Sequence, residues 1–275
     1  MRFTSWPYEP LRVLSYALEA GPVSQTDTLV PTAVADALIR GHADVGLVPT
    51  LDVLLKPDLY DLVPGVGVVS EPWPYARLAV RAPLDQIEEV GFDPRDRQEA
   101  LLAQTLLREH YGLRPSFRPA DPASQSAAER YATHDALLLV GDDAQAVAQD
   151  VAGEGVVLDL GYEWLELTLR PMVWGLLAAP AGSLDIAEAL ALRDAARHAE
   201  QARSEAIARA GGANAGGTPD PASALRLAGV ASFTLDGYAL DGLEQWIQHL
   251  YFHGTLEEPP ELRWIELPSE EGDEA

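Results

Sequence analysis

The chain has no cysteine among its 275 residues. This absence excludes disulfide bonds, thiolate catalysis, iron–sulfur clusters and cysteine-ligated zinc sites. Lysine occurs once, as Lys56, which precedes Pro57 in a predicted loop. Chemistry that needs a lysine Schiff base, such as that of pyridoxal phosphate, would have to use this residue, so the sequence disfavours it. The sequence also lacks Gly-Lys-Ser and Gly-Lys-Thr, which excludes a P-loop nucleotide site.

Long apolar runs are missing as well. The sequence contains no stretch of 18 consecutive apolar residues, so it predicts no transmembrane helix. Residues Met1–Tyr8 lack the apolar stretch and the small-residue cleavage site of a signal peptide. We therefore expect a cytoplasmic protein that does not bind a membrane.

Basic residues are scarce: the sequence has 19 Lys and Arg and 43 Asp and Glu, which gives a net charge of −24. Such a surface repels nucleic acids and anionic membranes, and we expect neither as a partner. A small anionic substrate would have to be held locally, by arginines and backbone N–H groups. The oligomeric state does not follow from the composition.

Histidine patterns give no metal motif. The sequence has six histidines and no His-Glu-x-x-His. His249 and His253 are spaced to share one helix face, but Leu250 stands where a zincin would have its glutamate, and Gly254 marks the helix end. No third ligand is evident, so we predict that the protein has no catalytic metal.

The first fifty residues alternate strands with helices. Strands are predicted at residues 1–6, 27–30 and 43–49, and helices at residues 11–18 and from Pro31 to Gly41. This order predicts an open α/β sheet with parallel strands.

A second series of strands and helices follows the first. We interpret Tyr75–Val80 and Met172–Ala178 as strands that cross between two lobes. Residues 1–82 and 172–275 are then predicted to form lobe 1, residues 83–171 an inserted lobe 2, and the ligand to bind in the cleft between them. After Ala179 we predict no strand but a helical tail, with helices at 184–210, 222–228 and 240–252 and a glycine-rich linker at 211–217.

Candidate binding residues lie where predicted strands end. Thr50 follows a buried strand and could contact a ligand, serve as a helix N-cap, or do both. In lobe 2, Arg95 and Asp96 stand at the start of the long helix over Glu99–Tyr111, where they either receive an anion or form a solvated helix start. Gly141 and Asp142 end an apolar strand, so the carboxylate either faces the ligand or stabilises a turn.

Several segments together resemble the chorismate dehydratase family of the futalosine route to menaquinone. The segments are Val30–Gly41 with Ala43–Thr50, Leu138–Asp142, Leu158–Trp164 with Pro171–Trp174, and Gly242–Glu244 with Pro260–Trp264. The resemblance covers nearly the whole chain.

The resemblance implies a two-lobed fold similar to periplasmic binding proteins of the second type. It implies a carbon–oxygen lyase that removes water from chorismate to give 3-[(1-carboxyvinyl)oxy]benzoate, without a metal or an organic cofactor. The family is thought to use the substrate's own side-chain carboxylate as the base. Tyr8, Thr50, Arg95, Asp96, Gly141 and Asp142 are the substrate-binding residues that we infer.

Three polar binding positions depart from the family pattern. One is a small hydroxyl residue that the family has near Tyr75 in the predicted crossing strand and that this chain lacks. The family has Tyr-x-Asn after its first strand, and this chain has Tyr8-Glu9-Pro10 there. The family has Ser and Thr at the start of the long helix in lobe 2, where this chain has Arg95, Asp96, Gln98 and Glu99. Two alternatives therefore stay open: a non-catalytic protein of this scaffold that binds a small carboxylate, and a related lyase that acts on another anion.

Overall fold

The computed structural model describes residues 1–120, 125–145, 155–201 and 231–268. Within these ranges the strands are β1 (Arg2–Ser5), β2 (Gln25–Thr28), β3 (Val45–Pro49), β4 (Tyr60–Ser70), β5 (Ala76–Val80), β6 (Glu89–Phe92), β7 (Ser116–Pro119), β8 (Ala136–Val140), β9 (Val156–Asp159), β10 (Met172–Pro180) and β11 (Ser232–Thr234).

The α-helices of the same ranges are α1 (Arg12–Glu19), α2 (Pro31–Ile39), α3 (Thr50–Leu55), α4 (Arg97–Glu109), α5 (Ala127–Thr133), α6 (Leu160–Thr168), α7 (Ile186–Gln201) and α8 (Gly237–Phe252). Short 3₁₀ helices cover Glu9–Leu11, Pro57–Leu59 and Leu84–Gln86. Across the described residues, no helix combines the length and the apolar character needed to cross a membrane.

The chain forms two compact units. Unit 1 contains Met1–Val68, Trp174–Asp236 and Glu258–Ala275, and unit 2 contains Val69–Val173 and Gly237–Glu257. The predicted boundary at residues 82 and 83 therefore differs from the observed one. The reason is β5, which pairs with β8 and β9 and so belongs to the sheet of unit 2. The boundaries between the units fall within β4 and β10, and β5 lies wholly in unit 2.

Unit 1 is built on a mixed sheet with the strand order β2-β1-β3-β10-β4-β11. β1 is parallel to β2 and β3, whereas β10 is antiparallel to β3. Every residue of β3 is buried, as expected for a parallel strand with both faces covered. A Cβ on Gly46 would lie 2.8 Å from Cγ1 of Val34, so glycine lets α2 pack closely on β3. The predicted β-α-β-α-β order of the first fifty residues is confirmed.

Unit 2 has a second mixed sheet with the order β7-β6-β8-β5-β9. β6 is parallel to β7 and β8, and β5 is antiparallel to β8, with Leu78 opposite Leu138. Ala79, Leu137 and Leu139 form an apolar core cluster on this sheet together with Ala120 and Ala144. Burial of these side chains from water stabilises the unit.

Among the described residues after Pro180, α7 and α8 are helices, as predicted, but β11 is a strand that the sequence analysis missed. α7 packs against α1 in unit 1, and α8 belongs to unit 2. Trp246 of α8 is fully buried, and its ring meets the ring of Trp164 edge to face, with centroids 5.6 Å apart. The predicted linker at 211–217 and the predicted helix at 222–228 lie outside the described residues.

Candidate functional site

The predicted site residues fall into two groups, one in each unit. Tyr8 and Thr50 belong to unit 1, whereas Arg95, Asp96, Gly141 and Asp142 belong to unit 2. In both units they follow the carboxyl ends of parallel strands, namely β1 and β3 in unit 1 and β6 and β8 in unit 2. This is the edge at which open α/β sheets bind ligands.

Tyr8 lies beyond the end of β1, where the chain turns into the 3₁₀ helix Glu9–Leu11. Its side chain is buried, and its backbone carbonyl accepts a hydrogen bond from the Leu11 N–H at 3.0 Å. The Tyr8 ring meets the ring of Trp6 edge to face at 6.0 Å between centroids. Trp6 in turn donates its indole N–H to the Leu47 carbonyl of β3 at 2.8 Å. Tyr8 is therefore held against two neighbouring strands.

Thr50 is fully buried and is the first residue of α3. The N-cap of α3 is Pro49, which cannot provide a side-chain hydrogen bond, so the interpretation of Thr50 as the cap is wrong. Its hydroxyl lies in the interior of unit 1, directly after β3. Thr50 stays a candidate for ligand binding.

Ser5 is a polar residue of this edge that the sequence analysis missed. It ends β1, it is 1% exposed, and its Oγ has no hydrogen-bond partner among the residues that the structure describes. A buried hydroxyl without a partner costs stability and is thus available to a ligand. The available signal was a serine at the last position of a strand just before Trp6-Pro7.

In unit 2, Arg95 is engaged by Asp93, the residue after β6. The Asp93 carboxylate accepts hydrogen bonds from the Arg95 backbone N–H at 2.9 Å, from Nε at 3.0 Å and from Nη2 at 2.6 Å. Burial raises the pKa of Asp93, but the hydrogen bonds and charge of Arg95 outweigh it, and the pKa is lowered. The turn before α4 is therefore organised by an ion pair, in which the Arg95 side chain stays 64% exposed to solvent.

Asp96 occupies the N-cap position of α4, but its side chain makes no capping hydrogen bond. The carboxyl is half-buried, and burial together with the nearby charges of Glu99 and Asp93 raises its pKa to about 8. The raised pKa favours the protonated form, which can donate a hydrogen bond, for example to a ligand carboxylate. The first-turn N–H groups of α4 add positive partial charge at the same place.

Gly141 follows β8 with a φ of 71°, a left-handed conformation that favours glycine, and its N–H donates to the Tyr75 carbonyl at 2.8 Å. Asp142 is exposed. The adjacent Asp143 instead accepts a hydrogen bond at 2.6 Å from Nη2 of Arg130, whose side chain is 3% exposed. The structure thus organises Asp143 more firmly than the predicted Asp142.

Arg130 and Asp143 were also missed from the sequence. Arg130 lies on α5, which begins at the capping box of Ser126 and Glu129. Its positive charge acts on both Asp93 and Asp96. The available signal was weak, since Arg130 stands one turn after Ala127 on the buried side of a short helix.

Over residues 1–120, 125–145, 155–201 and 231–268, no three or more His, Asp or Glu side chains are grouped so that they could hold a metal ion. His249 and His253, whose spacing places them on one helix face, make other contacts. His249 Nδ1 lies 2.8 Å from the Gln245 carbonyl, and His253 contacts α4.

Comparison with known proteins gives one family. The family model described as menaquinone biosynthesis matches residues 1–240. No curated protein matches the chain.

Several solved structures have a similar fold. Protein AF1704 of Archaeoglobus fulgidus is 16% identical, with a TM-score of 0.67 over 93% of this chain and 98% of that one. The periplasmic aliphatic sulphonate binding protein SsuA of Escherichia coli is 19% identical, with a TM-score of 0.62 over 100% of this chain and 94% of that one. The alkanesulfonate-binding protein SsuA of Xanthomonas axonopodis, solved with bound MOPS, is 18% identical, with a TM-score of 0.59 over 95% and 94%. At these identities the likeness establishes the fold, and the predicted periplasmic-binding-protein-like α/β fold is confirmed.

Proposed function

Because the chain belongs to the menaquinone biosynthesis family, whose model matches residues 1–240, we propose that it is a chorismate dehydratase. The reaction converts chorismate to 3-[(1-carboxyvinyl)oxy]benzoate and water. The family match is the observation that carries this proposal. The polar residues at the strand ends of each sheet support it.

The proposed dehydration breaks a C–H bond on the ring carbon that bears the enolpyruvyl ether and the C–O bond to the hydroxyl on the adjacent carbon. The electron pair of the C–H bond forms the new ring double bond, and the hydroxyl leaves as water with the proton. Because the ring becomes aromatic, the step is strongly downhill. The protein therefore needs mainly to position the substrate and to exclude water, and the atoms balance without a cofactor.

Binding a dianion to a chain with a net charge of −24 calls for donors that carry no negative charge. Asp96 meets this requirement in its protonated form, and the first turn of α4 adds backbone N–H groups beside it. In unit 1, further donors are buried Thr50 and the Ser5 hydroxyl, which has no partner among the residues that the structure describes. Within each unit, these groups are the proposed partners of a substrate carboxylate.

The test is incubation of the purified chain with chorismate, with substrate and product followed by chromatography. We expect product formation in wild type, and a loss of about ten- to a hundredfold in kcat/KM for Asp96→Ala, since a hydrogen bond to a charged group contributes about 1.5–3 kcal/mol. Asp85→Asn is the matched control, because Asp85 is an exposed acid of the same unit. Product formation that is absent in wild type contradicts the proposal.

A non-catalytic carboxylate- or sulfonate-binding protein is the second candidate. It is favoured by solved neighbours whose names state that they bind sulfonates. It predicts that chorismate, benzoate or MOPS raises the melting temperature while chorismate is recovered unchanged.

A further inference from the structure

The His253 side chain joins the C-terminal end of α8 to the C-terminal end of α4. The ring lies one residue beyond α8 and is 19% exposed. Its Nδ1 is 3.0 Å from Nη1 of Arg108, and its Nε2 is 3.4 Å from Oε1 of Glu109. All three residues belong to unit 2.

These two contacts fix the protonation state of the ring. A guanidinium only donates hydrogen bonds, so Nδ1 of His253 must accept one and carries no proton. Nε2 then carries the single proton and directs it toward Glu109. The observed arrangement therefore requires neutral histidine, and a second proton would be placed on Nδ1, directly against the Arg108 cation.

We propose that His253 is a pH-sensitive clip, which holds the end of α8 on α4 while neutral and releases it when protonated. Release would affect the last turn, where the Gly254 N–H donates to the Tyr251 carbonyl at 3.0 Å and the Thr255 N–H to the Leu250 carbonyl at 2.9 Å. Unit 2 ends shortly after, at Glu257. The clip thus controls the segment through which the chain leaves this unit.

The charges around His253 oppose its protonation on balance. Arg108 of α4, Arg114 after α4 and His249 of α8 disfavour the cation, and Glu109 of α4 favours it. On α6, Trp164 stacks edge to face on His249, and Glu163 accepts a hydrogen bond from Tyr111 at 2.5 Å and lies 3.8 Å from His110. Burial, followed by the charge of Arg108, lowers the pKa of His253. The neutral form therefore stabilises the fold above the ordinary histidine range near pH 6.5, and this stability is lost as the pH falls below it.

Backbone hydrogen exchange tests the clip on the full chain. We expect the protection factors of Gly254 and Thr255, corrected for intrinsic exchange, to fall between pH 7.5 and 5. Below the midpoint of His253 protonation, the fall should reach up to about tenfold per pH unit. His253→Gln keeps an acceptor and a donor but does not titrate, so this fall should vanish. His42→Gln, which changes an exposed histidine of unit 1, should leave it unchanged.

Two charge variants give a directional check. Arg108→Gln should move the midpoint of His253 protonation to higher pH, because Arg108 disfavours the cation. Glu109→Gln should move it to lower pH, because Glu109 favours the cation. If His253→Gln fails to fold, the ¹⁵N spectrum of the wild-type imidazole decides, because the clip requires the neutral tautomer with its proton on Nε2. A proton on Nδ1, flat protection in wild type, or a fall retained in His253→Gln would overturn the proposal.

Discussion

The two units have similar strand orders but place different side chains at the carboxyl ends of their parallel strands. In unit 1 the order β2-β1-β3-β10 gives three parallel strands followed by an antiparallel one, and β7-β6-β8-β5 in unit 2 repeats this pattern. The candidate binding groups at the strand ends of unit 1 are the hydroxyls of Ser5, Tyr8 and Thr50. In unit 2 the corresponding groups are ionisable and include Asp93, Arg95, Asp96 and Asp143, with Arg130 of α5 beside them. The topology therefore fixes where a site can form, and the residues at the strand ends decide what it can bind.

The difference has an electrostatic consequence. Unit 2 holds its ionisable groups in pairs, Asp93 with Arg95 and Asp143 with Arg130, and these pairs surround a carboxyl at Asp96 that is driven toward its neutral form. Unit 1 offers hydroxyls whose protonation does not change near neutral pH. We therefore expect pH to act on the strand ends of unit 2 and to leave those of unit 1 unchanged.

The largest effect is expected for Asp96→Asn. The carboxyl has its ordinary pKa when unfolded and a pKa of about 8 when folded. The folded state thus binds the proton more tightly, and stability is lost as the pH rises between about 4 and 8. Asparagine removes this loss, so we expect the variant to be more stable than wild type at pH 9 by about 2–4 kcal/mol, with little difference at pH 4.

Urea unfolding at both pH values measures this change. Asp85→Asn, which alters an exposed carboxyl of the same unit, should stay within about 0.5 kcal/mol of wild type throughout. A difference between Asp96→Asn and wild type that does not depend on pH would refute the assignment of a neutral Asp96.

The second prediction concerns Pro10→Asn, which tests the binding groups of unit 1. Pro10 is buried in the 3₁₀ helix next to Tyr8 and offers neither an N–H nor a side-chain donor. The resemblance to chorismate dehydratases implies an asparagine at this position. A hydrogen bond to a charged group contributes about 1.5–3 kcal/mol, so the substitution should raise kcat/KM for chorismate by about ten- to a hundredfold.

Product chromatography follows the reaction of the Pro10→Asn variant. The matched control is Pro57→Asn, which changes the first residue of another 3₁₀ helix of unit 1 and should leave kcat/KM unchanged. High wild-type activity that Pro10→Asn leaves unchanged or reduces would show that other residues have rebuilt the site.

The smallest effect is expected for Ser5→Ala. Removal of a buried hydroxyl without a partner among the described residues should leave stability unchanged or raise it by up to about 1 kcal/mol. If the hydroxyl binds substrate, KM should rise about three- to tenfold, for a loss of about 0.5–1.5 kcal/mol.

Thr26→Val separates the two effects of Ser5→Ala. Thr26 Oγ1 is also buried without a partner among the described residues, but it lies inside β2 and not at a strand end. This variant should match Ser5→Ala in stability and wild type in KM. An equal KM for all three proteins would remove Ser5 from the site.

Local patterns were sufficient where an element depends on its own residues. Pro31 and the following apolar spacing predicted α2, and the apolar run from Ala43 to Pro49 predicted β3. The same patterns failed for β4, which runs through Pro64 and Gly65, and for β11, which has only three residues. Those strands exist because neighbouring strands pair with them, and such pairing leaves no local signal.

The residues of the candidate site also fall into those that local sequence predicted and those that it missed. Strand ends are visible in a sequence, and the structure places Thr50 after β3, Arg95 and Asp96 after β6, and Gly141 after β8. The hydrogen bond between Arg130 and Asp143 joins residues from two separate elements, and the burial of Ser5 depends on strands that pair with β1. Neither could be read from residue order, because both arise from packing between distant segments.

The sequence by itself determined the α/β class, the family and the acidic charge, since these depend on composition, periodicity and short motifs. The tertiary structure alone decided that β5 and α8 belong to unit 2, that Asp96 is driven toward its neutral form, and that His253 is held between Arg108 and Glu109. The physical reason is that strand pairing, burial and charge interactions depend on distances in space, which residues far apart in the chain set together.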